Sequence, residues 1–164
     1  MKKSIGLSFL LSCFIAAPHM AVADPEPRMS PFSGKPVPRF ESLRYSTVNG
    51  RTGPSLEHPI AWRYERAGLP VMIIKESMEW RRVRDPEGAE VWIHARMLSR
   101  QETAMIQKDS PLKRTSDEGA KDIAILQAGV IVEVLESRGG VLKVQAGGLR
   151  GWVELGGVWG DRAP

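Results

Sequence analysis

Ala67-Gly68-Leu69-Pro70-Val71 returns 61 residues later as Ala128-Gly129-Val130-Ile131-Val132, and this repeated stretch decides the fold. A second pair of matching stretches, Val91-Trp92-Ile93 and Gly151-Trp152-Val153, lies 60 residues apart. Self-similarity at a nearly fixed spacing indicates two copies of one supersecondary unit. We therefore expect two similar modules, covering residues 40–106 and 107–160.

Both copies have the pattern of short strands joined by turns. In the first copy, apolar residues 69–76 predict a buried strand, and two further strands, at residues 80–84 and 90–94, flank the turn Asp85-Pro86-Glu87-Gly88. Short strands with a turn signal every 8–12 residues or so are typical of all-β domains. Since modules of about 60 residues have marginal cores, we expect the two to pack together.

The N-terminus has the pattern of an export signal. Lys2 and Lys3 precede an apolar stretch over residues 5–17, and Ala21-Val22-Ala23 is a small-residue cleavage box. We therefore predict a signal peptide over residues 1–23, a mature chain beginning at Asp24, and a periplasmic or secreted protein. We expect no transmembrane segment in the mature chain, because the apolar run is short for a membrane span.

Cys13 is the only cysteine in the chain, and signal cleavage would remove it. Lipid attachment at Cys13 is the alternative, although the apolar run continues past this residue. Without it, the mature chain has no disulfide, thiolate nucleophile or cysteine-based zinc site. The next stretch, residues 24–39, contains five prolines and predicts an extended or disordered leader.

The charge balance of the mature chain is close to neutral. Removal of Lys2 and Lys3 leaves 21 basic and 19 acidic residues. Nucleic-acid binding usually needs a concentrated basic face, so we do not expect a nucleic-acid partner.

Specific motifs in the first copy add a family resemblance. The loop Asn49-Gly50-Arg51-Thr52-Gly53-Pro54, then Trp80-Arg81-Arg82-Val83, then Val91-Trp92-Ile93-His94 resemble bacterial SH3-like (SH3b) domains, in particular those of exported proteins that carry two such domains. The resemblance implies a small, partly open β-barrel for each module. It also implies binding of cell-wall peptide or of other proteins.

The chain departs from this family in two places. Val91 stands where the family usually has glycine before the tryptophan of the last strand. The second copy lacks the cysteine pair often found around residues 141–144, so a redox role seen elsewhere in the family would not transfer.

Signs of catalysis are weak. After cleavage, His58 and His94 are the only histidines, and no nucleophile elbow of the Gly-x-Ser-x-Gly kind is present. Two distant histidines do not make a zinc site. We therefore expect no enzyme activity, no metal and no cofactor, although a Ser–His pair stays open as a hydrolase alternative.

Aromatic residues give the best candidates for ligand binding, because aromatic-lined grooves hold extended peptides. Tyr45, Trp62 and Tyr64 lie near the loops that border the groove in SH3-like barrels, and with Arg51 they form the predicted ligand site. Trp80 and Trp92 are predicted to be core residues instead.

Charged residues around the third predicted strand have two interpretations. Arg81, Arg82 and Arg84 alternate with apolar residues and predict cross-strand ion pairs, whereas an anion-binding basic strip is the alternative. Their natural partners are acidic residues on neighbouring strands: Glu76, Glu79 and Glu90. The acidic turn formed by Asp85, Glu87 and Glu90 predicts a solvated hairpin tip.

Two functional hypotheses follow. The first is a non-catalytic binding protein that recognises peptidoglycan peptide or an envelope protein. The second is a structural or adaptor protein with no small-ligand site. The sequence leaves the oligomeric state open.

Overall fold

The computed structural model describes residues 27–160, so the predicted signal peptide, its cleavage before Asp24 and the alternative lipid site at Cys13 lie outside the described part of the chain. The described residues form two curled sheets, which confirms the all-β, SH3-like prediction. None of the helices in this part is long and apolar enough to cross a membrane.

The first sheet contains seven antiparallel strands, which are β3 (Arg39–Leu43), β4 (Val48–Arg51), β5 (Ile60–Tyr64), β6 (Pro70–Ser77), β7 (Trp80–Arg84), β8 (Glu90–His94) and β9 (Leu98–Ser99). Their order across the sheet is β5-β4-β8-β7-β6-β3-β9. A 3₁₀ turn, Ala95–Met97, connects β8 to β9. A short hairpin of β1 (Arg28–Met29) and β2 (Pro36–Val37) precedes them.

The second sheet repeats this arrangement with β10 (Thr103–Ile106), β11 (Ser110–Lys113), β12 (Asp122–Leu126), β13 (Ile131–Arg138), β14 (Val141–Ala146), β15 (Leu149–Glu154) and β16 (Val158–Trp159). Their order across the sheet is β12-β11-β15-β14-β13-β10-β16. A 3₁₀ turn, Leu155–Gly157, connects β15 to β16. Each strand of the first sheet has a counterpart at the same place in the second, so the sequence repeat is a structural repeat.

Each sheet encloses its own core, as the apolar strands predicted. Ile73 on β6 is fully buried in the first core, and Val132 on β13 is buried in the second. Val134 is only partly buried but packs against that core. The two long strands also carry matching irregularities, at Ile73/Lys75 and at Val134/Glu136, which bend the sheets at the same point.

The boundary between the domains differs from the predicted one. Strand β10 lies within the predicted first module, residues 40–106, but it pairs with β13 and β16 in the second sheet. Its side chains explain this, because Ala104 and Ile106 are fully buried in the second core. The linker is therefore the stretch over residues 100–102.

The proline-rich segment also differs from its prediction over residues 27–39. Instead of a disordered leader, β1 and β2 form a hairpin against the first domain. Val37 is buried in the first core, and the Ser30 hydroxyl donates a 2.5 Å hydrogen bond to Glu76 Oε2. These two contacts, made with residues far along the chain, are what the local proline pattern could not show.

The two domains are in contact through polar and aromatic groups. The Trp159 indole N–H donates to the carbonyl of Pro70 at 3.3 Å, and its ring meets Phe40 edge-on at 5.3 Å between centroids. Thr103 Oγ1 donates to the carbonyl of Gly68 at 2.6 Å. Met105 and Ile131 of the second domain also pack against the first core. This joint surface gives each small core additional burial.

Candidate functional site

Exposed apolar side chains of the first domain lie on strand β5 and in the loops next to it. Trp62 is 53% exposed and Ile60 is 51% exposed, and both lie on β5. Leu56 precedes this strand, and Tyr45 lies in the loop before β4; both side chains are exposed. We name Tyr45, Leu56, Ile60 and Trp62 the aromatic surface.

Strand β5 is an edge strand, because it pairs with β4 and with no other strand of the described residues. The register of β5 against β4 shifts between Ile60, which is opposite Arg51, and Trp62. Trp62 is directly opposite Gly50 on β4. A Cβ at Gly50 would lie 2.5 Å from Val91 Cγ2, so glycine is required here to admit the valine side chain.

Tyr64, predicted to be a surface recognition residue, is buried instead. Its hydroxyl donates to Asp85 Oδ2 at 3.1 Å. Burial, followed by the nearby Asp85 charge and this hydrogen bond, raises the pKa of Tyr64 well above its ordinary value. The Tyr64 ring lies 6.4 Å from the Trp62 ring, so it supports the aromatic surface from within.

Asp85 is also buried, with 2% of its surface exposed, which corrects the prediction of a wholly solvated hairpin tip. Its Oδ1 accepts hydrogen bonds from the backbone N–H groups of Glu87 and Ala89, at 3.1 and 2.8 Å. Asp85 therefore closes the β7–β8 turn with one oxygen and anchors Tyr64 with the other.

Arg51 holds the loop between β4 and β5. Its Nη1 donates to the carbonyls of Leu56 at 3.1 Å and His58 at 2.7 Å. The His58 ring lies so close to Gly53 that a Cβ there would overlap it. The structure thus gives Arg51 a role in positioning the aromatic surface, while direct contact between Arg51 and a ligand stays a prediction.

Trp80 and Trp92 are partly exposed and lie outside the buried core, contrary to prediction. They lie on the outer face of β7 and β8, where Trp80 is opposite His94 and Trp92 is opposite Arg82. The Trp80 and His94 rings meet edge-on at 5.3 Å. Alternation along the strands explains this, because the inward positions belong to Val83 and other small apolar side chains.

The predicted cross-strand ion pairs are present. Arg82 and Arg84 lie 2.8 and 3.0 Å from the carboxylate oxygens of Glu90, and His94 Nε2 lies 3.2 Å from Glu79. Arg82 and Arg84 thus share one carboxylate, and an anion-binding role for this strand stays a prediction. Arg81, by contrast, points inward and is buried.

Glu76 is the centre of a buried ionic network, of which the sequence predicted only the pair with Arg81. Its carboxylate lies 2.7 Å from Arg39 and 3.1 Å from Arg81. Burial acts to raise the pKa of Glu76, but hydrogen bonds from Ser30, Ser33 and Arg39, with the Arg39 charge, outweigh it and lower the pKa below its ordinary value. Glu76 therefore stays ionised and ties the N-terminal hairpin to the first domain.

The second domain presents its tryptophan differently. Trp152, the counterpart of Trp92, is buried beneath the Arg138 guanidinium, which lies 5.0 Å from the ring centroid. Lys143 lies 5.8 Å from the same ring. Trp152 lines a shallow cavity of about 200 Å³, together with two valines and several acidic, basic and hydroxyl side chains.

Residues 27–160 hold no group of three or more histidine, cysteine, aspartate or glutamate side chains that could bind a metal ion. His94 is engaged on both sides, because its Nδ1 accepts a hydrogen bond from the Arg96 N–H at 3.2 Å and its Nε2 faces Glu79.

Comparison with known families identifies the two domains. Residues 44–100 and 110–160 each match the bacterial SH3 domain family. The chain belongs to that family. As a bacterial SH3 protein with two copies of the domain, it has the architecture of a binding module. No curated protein matches the chain.

Among solved structures, this bacterial SH3 protein is similar to two from Trichomonas vaginalis. With NlpC2 it shares 15% identity and a TM-score of 0.34 over 74% of this chain and 48% of that chain. With NlpC1 it shares 13% identity and a TM-score of 0.35 over 74% of this chain and 45% of that chain. The chain thus spans less than half the length of these two proteins.

Proposed function

We propose that this chain is an exported, non-catalytic binding protein whose first domain recognises peptidoglycan peptide or an envelope protein. The observation that carries the proposal is the aromatic surface on edge strand β5. Such a strand has unpaired backbone groups along one side, and extended peptides bind by adding a strand there. Trp62 and Ile60 supply apolar contact area beside that edge.

The supporting residues favour a preformed surface. Arg51 fixes the loop that carries Leu56, and Asp85 fixes Tyr64, whose ring is next to that of Trp62. A ligand would therefore meet side chains whose backbone is already held in place, which reduces the entropy cost of binding.

A binding role without catalysis is supported by the engagement of His94, because a histidine held between Glu79 and the backbone of Arg96 acts as part of a turn. Incubation of the chain with purified peptidoglycan tests this point, and we expect no soluble fragments. Release of fragments that is lost in a His58→Ala or His94→Ala variant would contradict it.

Binding is tested by co-sedimentation of the mature protein with insoluble peptidoglycan sacculi. We expect saturable binding that soluble muropeptides with intact stem peptides compete away. If the protein does not sediment, affinity capture from an envelope extract tests the second ligand class, and the captured protein must be lost with Trp62→Ala. Failure of both experiments would refute recognition by the aromatic surface.

Export is tested by intact-mass spectrometry of the protein recovered from the periplasm. We expect a chain that begins at Asp24. A mass that retains residues 1–23, or a diacylglycerol on Cys13, would contradict this proposal.

An adaptor role is the second candidate, and the contact between the domains favours it. Trp159 and Thr103 of the second domain both bond to backbone carbonyls of the first. Two barrels held in this way would present one continuous surface to a partner. Capture of a partner that still binds after Trp62→Ala would favour this function over peptide recognition.

A further inference from the structure

A second region of the first domain concentrates positive charge around a small pocket. The pocket has a volume of about 160 Å³ and lies between the N-terminal hairpin, strand β3 and the end of β9. Five of its lining residues are basic: Lys35, Arg39, Arg44, Arg81 and Arg100.

The carboxylates near this pocket do not balance that charge. Glu41 lines the pocket and lies 3.0 Å from both Lys35 Nζ and Arg39 Nε. Glu76 lies beneath it, within ion-pair distance of Arg39 and Arg81. Two carboxylates against five cations leave an excess of three positive charges among the described residues at this pocket.

The basic side chains have two different roles. Arg39 and Arg81 have side chains only 12% and 11% exposed, and ion pairs with Glu76 and hydrogen bonds to Glu41 and nearby carbonyls hold them in place. They contribute a fixed positive potential. At the rim, Arg44 and Arg100 are exposed, and neither forms an ion pair with a carboxylate of residues 27–160. Arg44 is oriented by a 3.0 Å hydrogen bond from its Nε to the Leu98 carbonyl.

We propose that this pocket is a binding site for a phosphate group. A dianionic oxyanion matches the excess charge better than a single carboxylate does, and arginine guanidinium groups bind phosphate oxygens in a bidentate manner. The site shares no residue with the aromatic surface and does not depend on the peptide-binding role. The phosphate can belong to a small soluble molecule or to a phospholipid headgroup.

Titration calorimetry of the full chain with inorganic phosphate tests the proposal. We expect saturable one-site binding, with affinity reduced about tenfold or more in Arg44→Gln/Arg100→Gln, because each residue supplies a charge-assisted hydrogen bond. The control Arg63→Gln/Arg150→Gln removes the same charge at exposed positions outside the pocket and should bind as the wild type does. Circular dichroism confirms that both variants fold.

Flotation with phosphatidylcholine vesicles, with and without phosphatidic acid, distinguishes the two sources of phosphate. Binding to the phosphatidic acid vesicles alone, lost in the pocket variant, identifies a headgroup site, whereas binding of free phosphate alone identifies a soluble ligand. The absence of saturable binding in both experiments would overturn the proposal. Equal loss in the pocket and control variants would overturn it as well, because it would show non-specific attraction.

Discussion

At one level of the sheet, the first domain has Gly50 on β4 beside Val91 on β8, whereas the second has Leu112 on β11 beside Gly151 on β15. The positions correspond because the next residue on each strand forms the same bridge: Arg51 opposite Trp92 and Lys113 opposite Trp152. In each domain, one strand provides the bulk and its neighbour provides glycine. The valine that departs from the family pattern is thus compensated on the adjacent strand.

The edge strands differ at the same level. Trp62 on β5 is opposite Gly50, while its counterpart Ala124 on β12 is opposite Leu112. The second domain therefore places its bulk on the inner strand and a small residue at the edge, and the first domain does the reverse. Packed cores tolerate such exchanges when total volume is conserved. The same fold therefore accommodates an exposed tryptophan on the edge strand of one domain and an alanine at the corresponding position of the other.

Removal of Ile73 should have the largest effect. Ile73→Ala deletes a fully buried side chain, and we expect a loss of about 4 kcal/mol through lost burial and a residual cavity. Since the domains share a joint surface, calorimetry should show a single transition at a lower midpoint. Two separate transitions, with only one of them shifted, would show that the domains unfold independently.

The two domains also differ at a buried carboxylate, because Glu76 corresponds to the exposed Ser137 in the second domain. Glu76→Gln removes the partner of Arg39 and Arg81 and should cost about 3 kcal/mol at neutral pH. The lowered pKa of Glu76 means that its stabilisation is present above the ordinary glutamate pKa and is lost as pH falls through the folded value.

Chemical denaturation at several pH values measures this effect. The wild type should lose stability in acid, and Glu76→Gln should show a smaller loss over the same range. Glu136→Gln is the control, since Glu136 forms only an exposed 3.6 Å contact with Arg138. An unchanged acid response in Glu76→Gln would contradict the proposed role of the buried network.

The glycine lies on β4 in the first domain and on β15 in the second, and we expect substitution of the two glycines to have different effects. Gly50→Ala should cost about 2 kcal/mol, and Val91→Ala should restore part of it, because the three atoms nearest the added Cβ all belong to the valine side chain. Gly151→Ala should cost a similar amount without rescue by Leu112→Ala, since its Cβ would lie 2.6 Å from the Lys113 carbonyl oxygen. Thermal unfolding of the four single and two double variants measures this, and equal rescue in both domains would refute it.

Much of this architecture could be predicted from the sequence, and the failures share a cause. The repeat, the strands and the pairing of Arg82 with Glu90 follow from local pattern and spacing. The burial of Tyr64 does not, because it depends on Asp85, 21 residues away. The folding of the N-terminal hairpin onto the first domain likewise depends on the hydrogen bond from Ser30 to Glu76, 46 residues away. Polar residues that form hydrogen bonds with each other across long sequence separations leave no periodic pattern in the sequence.

Binding of Trp62→Ala to peptidoglycan sacculi tests whether the aromatic surface of the first domain is the recognition surface. Ile125→Ala is the matched control, because Ile125 is an exposed apolar residue on the corresponding edge strand of the second domain. Both residues are exposed, so both variants should keep wild-type stability to within about 0.5 kcal/mol.

We predict that Trp62→Ala weakens binding by about 2 kcal/mol, or roughly 30-fold, as truncation of an aromatic anchor does. Ile125→Ala should leave binding unchanged. Wild-type affinity in a folded Trp62→Ala variant, or an equal loss of affinity in Ile125→Ala, would contradict recognition by the aromatic surface.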